Sequence, residues 1–250
     1  MFFKKTFKKI YRQRLKKIKK KFSDSFNKER TRFISILNHD IKTPLLAQNQ
    51  ALELLLSKKE NLNPFQIELL EELSNSNNFL LEIVTNSLFL TKYEKEKPEL
   101  NIENINIVEE IKDCCKLVEQ VAKTKGQNII FNPNNNKTIN LKADRILIQR
   151  ILLNLISGSL SSGFEKSNIE ISIQENKNSF SFCTKNKAVF MTKEKINSLF
   201  APKKTLADFN QLGMNLNLNL AGKLIKAHNW DIIAESNKDN SLIFGFSIKK

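Results

Sequence analysis

Residues 33–46 read FISILNHDIKTPLL, which sets His39, Asp40, Thr43 and Pro44 on one helical stretch. Apolar Phe26, Phe33, Leu37, Ile41, Leu45, Leu52 and Leu55 recur at steps of three, four and seven, the mark of an amphipathic helix. His39 lies off the centre of that stripe, so its imidazole is expected to reach solvent. A neutral imidazole is nucleophilic near neutral pH and can carry a phosphoryl group. Asp40 adds a carboxylate that either orients the ring or takes its proton. Thr43, at i+4, shares the face of His39. Pro44 has no N–H for the carbonyl of Asp40, so the helix is expected to loosen or bend just past His39. A His-Asp pair alone is ordinary on a helix surface; it is the whole string that points to chemistry.

The elements that would carry this string form a hairpin. A first helix is expected from about Asp24 to Leu56, followed by the polar connector SKKENLN at 57–63, with Pro64 at the first helical position after Asn63. A second amphipathic helix shows Phe65, Leu69, Leu73, Leu80, Ile83, Val84, Leu88 and Leu90 on its apolar face. Neither helix can bury its stripe alone; a hairpin, and two hairpins in a four-helix bundle, would solve that problem. The segment KEKP at 95–98 reads as a linker. The later pattern is mixed. Helices are expected at Ile107 to Ala122, Ala143 to Leu160 and about Asn215 to Ala227. Strands are expected at Asn128 to Phe131, Thr138 to Leu141, Ile169 to Ile173, Phe180 to Cys183, Asp231 to Ala234 and Leu242 to Ile248. The fold class is therefore α + α/β sandwich: a basic amphipathic arm over 1–25, a helical hairpin over 26–96, and an α+β sandwich over 100–250.

Charge is unevenly placed. Of 41 Lys and Arg, eleven fall in residues 1–22, which hold no acid; the rest of the chain, thirty basic against twenty-six acidic, is only +4. Phe3, Phe7, Ile10, Tyr11, Leu15, Ile18 and Phe22 repeat through that arm at helical spacing. Such a basic amphipathic helix suits an anionic membrane surface, at about 1 kcal/mol per basic residue near lipid. A plain helical extension into a dimer coiled coil fits equally well, and nucleic acid is a weaker candidate. No apolar run reaches membrane-spanning length and no secretory signal precedes the hairpin. Cys114, Cys115 and Cys183 follow no metal spacing, so a reduced cytoplasmic setting is expected, peripheral to the membrane if the arm binds it.

The string around His39 resembles the H-box of sensor histidine kinases, where a His, an acidic residue and a Thr-Pro pair open a dimerisation and phosphotransfer hairpin. The element order after residue 100 is similar to the ATP-binding domain of the histidine-kinase, gyrase and Hsp90 group. The resemblance implies His39 as phosphoacceptor with Asp40 and Thr43 beside it, a homodimer, and a response-regulator receiver domain as partner.

The family's nucleotide motifs are altered here. Its asparagine-bearing helix reads NLISGSLS from Asn154. Asn154 matches the first asparagine, while Gly158 stands where the family's magnesium ligand lies and Ser161 where it has a basic residue. Gly158 offers no side-chain oxygen to a metal that demands octahedral oxygen ligands. The D-x-G-x-G-I loop that holds adenine falls on Asn186, Ala188, Phe190 and Met191. Asn186 can still accept from an amino group, without a carboxylate's charge. Phe190 is expected to fill the pocket rather than line it. The glycine-rich turn under the phosphates reads GMNLNL from Gly213, with Asn215 and Asn217 in place of two glycines, expected to crowd the phosphates. His228 matches a family histidine but reads as structural, and Phe200 matches a lid phenylalanine.

The chain has six glycines, against about seventeen for average composition. A coding bias toward Asn, Lys and Ile would drain glycine everywhere, yet it explains poorly why three nucleotide motifs fail together while the H-box stays whole. The expected function is therefore phosphoryl transfer through His39 to or from a receiver, or hydrolysis of the receiver's aspartyl phosphate. The expected nucleotide positions Asn154, Asn186 and Gly213 are degenerate, no metal site is expected, and no cofactor is needed. The alternative is an active sensor kinase that phosphorylates His39 with ATP and magnesium.

Overall fold

The computed structural model describes residues 39–92, 98–133, 138–201 and 212–249, with Glu29 and Ile36. The basic arm, Phe26, Phe33 and Leu37 of the first stripe, and residues 95–97 of the linker lie outside the described residues. The chain divides into two compact units, Met1–Glu94 and Lys95–Lys250.

In the first unit, residues 39–56 are helical (α1) and a 3-10 turn, Lys59–Asn61, leads to α2, Pro64–Lys92. Asn63 starts α2 with a reciprocal cap: its Oδ1 accepts from Gln66 N and its own N–H donates to Gln66 Oε1, each at 2.9 Å. That arrangement satisfies two helix-start donors, and Pro64 occupies the position that has none to satisfy. On α1 the shielded residues are Leu45, Asn49, Leu52 and Leu56. On α2 they include Ile67, Leu70, Ser74, Asn77, Leu81 and Val84, at alternating steps of three and four. This is a narrow coiled-coil-like seam. The expected apolar stripes are thereby corrected. Ile41, Leu55, Phe65, Leu69, Leu73 and Leu80 are exposed, Phe65 at 71 %. Each helix carries two interleaved apolar faces, and the hairpin buries only one of them.

The second unit has a two-stranded sheet, β1 (Ile102–Asn106) antiparallel to β3 (Asn140–Asp144). Its main sheet has five strands in the order β2-β4-β5-β7-β6, with β2 parallel to β4 and the remaining pairs antiparallel. These are β2 Asn128–Phe131, β4 Asn168–Asn176, β5 Ser179–Lys187, β6 Asp231–Ser236 and β7 Ser241–Lys249. The helices are α3 Ile107–Thr124, α4 Arg145–Ser162, α5 Lys193–Leu199 and α6 Leu212–Ala227. Helix α4 packs between α3 and α6 and over β5 and β7. Its Ile148, Ile151, Leu152, Leu155 and Ile156 are fully buried, as are Phe180, Phe182, Phe244 and Phe246 of the sheet. Burial of this apolar surface is the main stabilising term, at roughly 1.5–3 kcal/mol per large side chain. The result is a helical hairpin followed by an α/β sandwich, as expected.

Local chemistry sets the boundaries. Asp144 Oδ1 accepts from Leu147 N at 3.0 Å, so α4 begins at Arg145 rather than Ala143, and β3 runs to Asp144 instead of ending at Leu141. Asn106 and Thr192 cap α3 and α5 in the same way. The α3–α4 junction is tied by Glu110, 4 % exposed, which receives hydrogen bonds from Arg145 Nη1 and, at 2.6 Å, from Gln149 Nε2. Gly245 lies where a Cβ would stand 2.1 Å from the carbonyl oxygen of Phe182, so strand β7 admits no side chain there. The three cysteines are free, and burial pushes the Cys114 thiol up to about 12.

Candidate functional site

His39 lies at the start of the described part of α1 with its side chain 81 % exposed. Its Nδ1 is 3.3 Å from Asp40 Oδ1, and no described residue bonds Nε2. The carboxylate thus addresses one ring nitrogen and leaves the other to react. Thr43 Oγ1 donates to the backbone carbonyl of His39 at 3.1 Å, a bond back along its own helix. The hydroxyl is near the histidine through the backbone and not through the ring. The structure brings His39, Asp40 and Thr43 together, with Thr43 in a different contact from the one its face suggested.

The second group of expected residues lies in the sandwich. Asn154, on α4 and 3 % exposed, donates from Nδ2 to the carbonyl of Arg150 at 2.6 Å. Four residues on, Gly158 faces α6: a Cβ built there would meet Leu218 Cδ2 at 2.7 Å and Cγ at 3.0 Å. Leu218 is fully buried. The apolar side chain occupies the space into which a residue-158 side chain would project.

Asn186, near the end of β5, is also 3 % exposed. Its Nδ2 donates to the carbonyl of Ser159 at 2.9 Å, and its Oδ1 has no partner among the described residues. Beside it Ser159 and Thr184 share a hydrogen bond of 2.6 Å, and Thr184 Oγ1 also donates to the carbonyl of Phe244. Gln127 closes the same corner: it donates to the carbonyl of Phe164, and its Oε1 is a second buried acceptor without a partner among the described residues. A Cβ on Gly163 would meet the nitrogens of Asn186 and Gln127 at 2.8 and 2.9 Å. Sequence reasoning did not single out Gln127. Its signal was a polar residue directly after the φ-positive Gly126, at the entry to an apolar strand.

Two expectations are corrected. Ala188 is buried and bridges Gly163, but Phe190 is 46 % exposed and fills no interior space. Gly213 lies inside α6, which begins at Leu212, so GMNLNL is continuous helix and not a phosphate-cradling turn. Asn217 is buried, while the side chains of Gly213 and Asn215 are outside the described residues. His228 is structural, as expected. Its Nδ1–H donates to the carbonyl of Leu224 at 2.9 Å, its Nε2 accepts from Asp144 N at 3.3 Å, and its ring lies 4.4 Å from that of Trp230. Burial holds this imidazole below the usual histidine range.

The profile of the His Kinase A (phospho-acceptor) domain matches residues 29–96, the hairpin that presents His39. Relatives extend the likeness past the hairpin. Sensor histidine kinase WalK of Bacillus subtilis is 23 % identical over 231 residues, 90 % of this chain and 37 % of its own length. Residues 29–96 are a His Kinase A (phospho-acceptor) domain, and the chain as a whole is similar to sensor histidine kinases. Hybrid signal transduction histidine kinase G of Dictyostelium discoideum is 32 % identical over 143 residues, 56 % of this chain and 4 % of its own length. The chain thus spans well under half the length of either relative.

Two solved kinases share the fold. Full-length ShkA in complex with AMPPNP gives a TM-score of 0.61 at 20 % identity, over 86 % of this chain and 44 % of that one. ThkA in complex with the response regulator protein TrrA gives 0.54 at 22 %, over 90 % and 64 %.

Sensor histidine kinases normally use ATP with magnesium, and the residues of this sandwich do not fit that pair. The position resembling the metal ligand is a glycine covered by Leu218. The asparagine one turn earlier bonds its own helix. The phosphate turn is helical. Asn186 Oδ1 keeps an acceptor of the kind an adenine amino group needs.

Proposed function

We propose that the chain is the phosphohistidine component of a two-component signalling pathway and passes phosphoryl groups through His39 without using ATP. The observation that carries this reading is the pairing of an exposed imidazole with a Gly158 whose side-chain space is taken by Leu218. His39 Nε2 attacks the phosphorus of a receiver's aspartyl phosphate. The phosphorus–nitrogen bond forms as the acyl phosphate bond breaks, and the receiver keeps its carboxylate. Asp40 holds Nδ1 and stabilises the positive charge that the ring gains. The reverse step delivers the group to a second receiver. The same carboxylate can instead orient water for hydrolysis of the aspartyl phosphate.

The working unit is a homodimer. Phe65, Leu69, Leu73 and Leu80 form an exposed stripe on α2 that a second hairpin would cover in a four-helix bundle. Among the described residues no helix is long and apolar enough to cross a membrane. A cytoplasmic position, with the basic arm against an anionic membrane surface, is consistent with the charge of residues 1–22.

Incubation with [γ-32P]ATP and magnesium, and separately with receiver domains charged from [32P]acetyl phosphate, tests this reading. Label is expected on His39 from the receivers and not from ATP, and His39→Ala is expected to abolish it. The second reading, an ATP-dependent sensor kinase, draws its support from the unpartnered Asn186 Oδ1. Magnesium-dependent label on His39 from ATP would establish that reading in place of the first.

A further inference from the structure

The seam of the hairpin contains a layer of asparagines. Asn77 of α2 is 5 % exposed, and both hydrogens of its amide are committed. One goes to the backbone carbonyl of Leu45 at 2.8 Å and the other to Asn49 Oδ1 at 2.5 Å. Asn49 Nδ2 in turn donates to Asn78 Oδ1 at 2.6 Å. Asn77 Oδ1 is buried without a partner among the described residues. On stability alone this is a poor choice, since leucine at 49 and 77 would extend the apolar seam made by Leu45, Leu52, Leu81 and Val84. A buried amide left half satisfied costs about 1–3 kcal/mol. What a buried asparagine does in a helical seam is forbid every register but one.

The place of the layer gives that specificity a consequence. Leu45 directly follows Pro44, in the turn where α1 loses a backbone donor. The side chain of Asn77 therefore grips α1 beside its weakened turn. His39 lies six residues from Leu45, about 9 Å along the axis. A slip of one turn would displace His39 by about 5.4 Å relative to α2 and leave both amides unpaired.

We propose that Asn49 and Asn77 form a register lock that sets the height at which α1 offers His39 to a docked receiver. They act as positioning residues for phosphoryl transfer. The link to transfer rests on the function proposed above; the lock itself does not.

The test is the double variant Asn49→Leu/Asn77→Leu in the full chain. Removing both partners strands no amide on the other, so the fold is expected to survive with a denaturation midpoint at or above that of the unmodified protein. Methyl NMR of Leu45, Leu52, Leu81 and Val84 is expected to show one set of peaks in the unmodified protein. The variant is expected to show doubled or exchange-broadened peaks. With receivers charged from [32P]acetyl phosphate, kcat for loading His39 is expected to fall about tenfold or more while KM changes by less than about twofold. Loading by phosphoramidate, which needs no docking, is expected to stay unchanged.

A variant with one set of peaks and the unmodified inter-helix NOE pattern overturns the lock. An unchanged kcat, where the unmodified protein does load, overturns its role in positioning. Failure of the unmodified protein to load from any charged receiver overturns the proposed function instead, and the spectra still decide the lock.

Discussion

Replacing Gly158 by Asn restores the side-chain oxygen that the family's magnesium position carries, and the structure predicts that this alone fails. The new Cβ would stand 2.7 Å from Leu218 Cδ2 and 3.0 Å from Cγ, both inside ordinary contact distance. Leu218 is fully buried, so it can yield only by pushing into its neighbours or by forcing α4 and α6 apart. Overpacking of this kind costs about 1–3 kcal/mol. Leaving glycine for asparagine in a helix returns only about 0.3 kcal/mol. The net loss is therefore about 1–2.5 kcal/mol, a fall in Tm of roughly 2–10 °C for a chain of this size.

Thermal unfolding of Gly158→Asn, beside the companion Gly158→Asn/Leu218→Ala, measures this loss. The companion removes the obstructing methyls and is expected to lose part of its stability to the missing leucine instead. Neither variant is expected to label His39 from [γ-32P]ATP, because the phosphate segment is helical and Asn154 faces its own helix. A single variant as stable as the unmodified protein would refute the packing argument. Strong magnesium-dependent label on His39 from that one change would refute the account of the pocket.

Other perturbations probe the rest of the molecule. Burial depresses the folded-state pKa of His228, so the unfolded chain binds the extra proton first. Stability is then full above the ordinary histidine value of about 6.5 and declines as pH falls below it; denaturant midpoints from pH 7.5 to 5.5 should show the decline, and His228→Gln should flatten it. Arg145→Met removes one hydrogen-bonded partner of the buried Glu110 carboxylate and is expected to cost about 2 kcal/mol, reduced from a fully buried pair because Arg145 is half exposed. Adding Glu110→Met should return most of it, and an additive double variant would sink the coupling. Phe65→Lys/Leu73→Lys places two charges on the exposed stripe of α2 and is expected to convert the proposed dimer to monomer in sedimentation equilibrium. An unchanged mass would show that this face does not pair copies.

How much of this could be read from the residues depended on how local the cause was. Asn63, Asp144 and Thr192 cap helices within three residues of themselves, and the segment Asn128–Phe131 is bounded by turn residues, so boundaries there are legible or nearly so. Strand β1 was not legible, because IENIN is rich in residues that strands disfavour and forms only by pairing with β3, almost forty residues away. The face of α2 was misjudged for a related reason. Its apolar residues fall into two stripes, and the pattern does not say which one meets α1 and which stays exposed.

At the nucleotide position the missing oxygen of Gly158 was visible in the sequence, but Leu218 as its occupant was not, since sixty residues separate them. Phe190 erred the other way: its bulk suggested a plug, and the backbone turns it to solvent. On the reading proposed above, a loss of ATP chemistry would rest less on inserted bulk than on the packing of α4 and α6 over Gly158. On that argument, restoring nucleotide binding would require moving a helix–helix interface as well as exchanging the ligands.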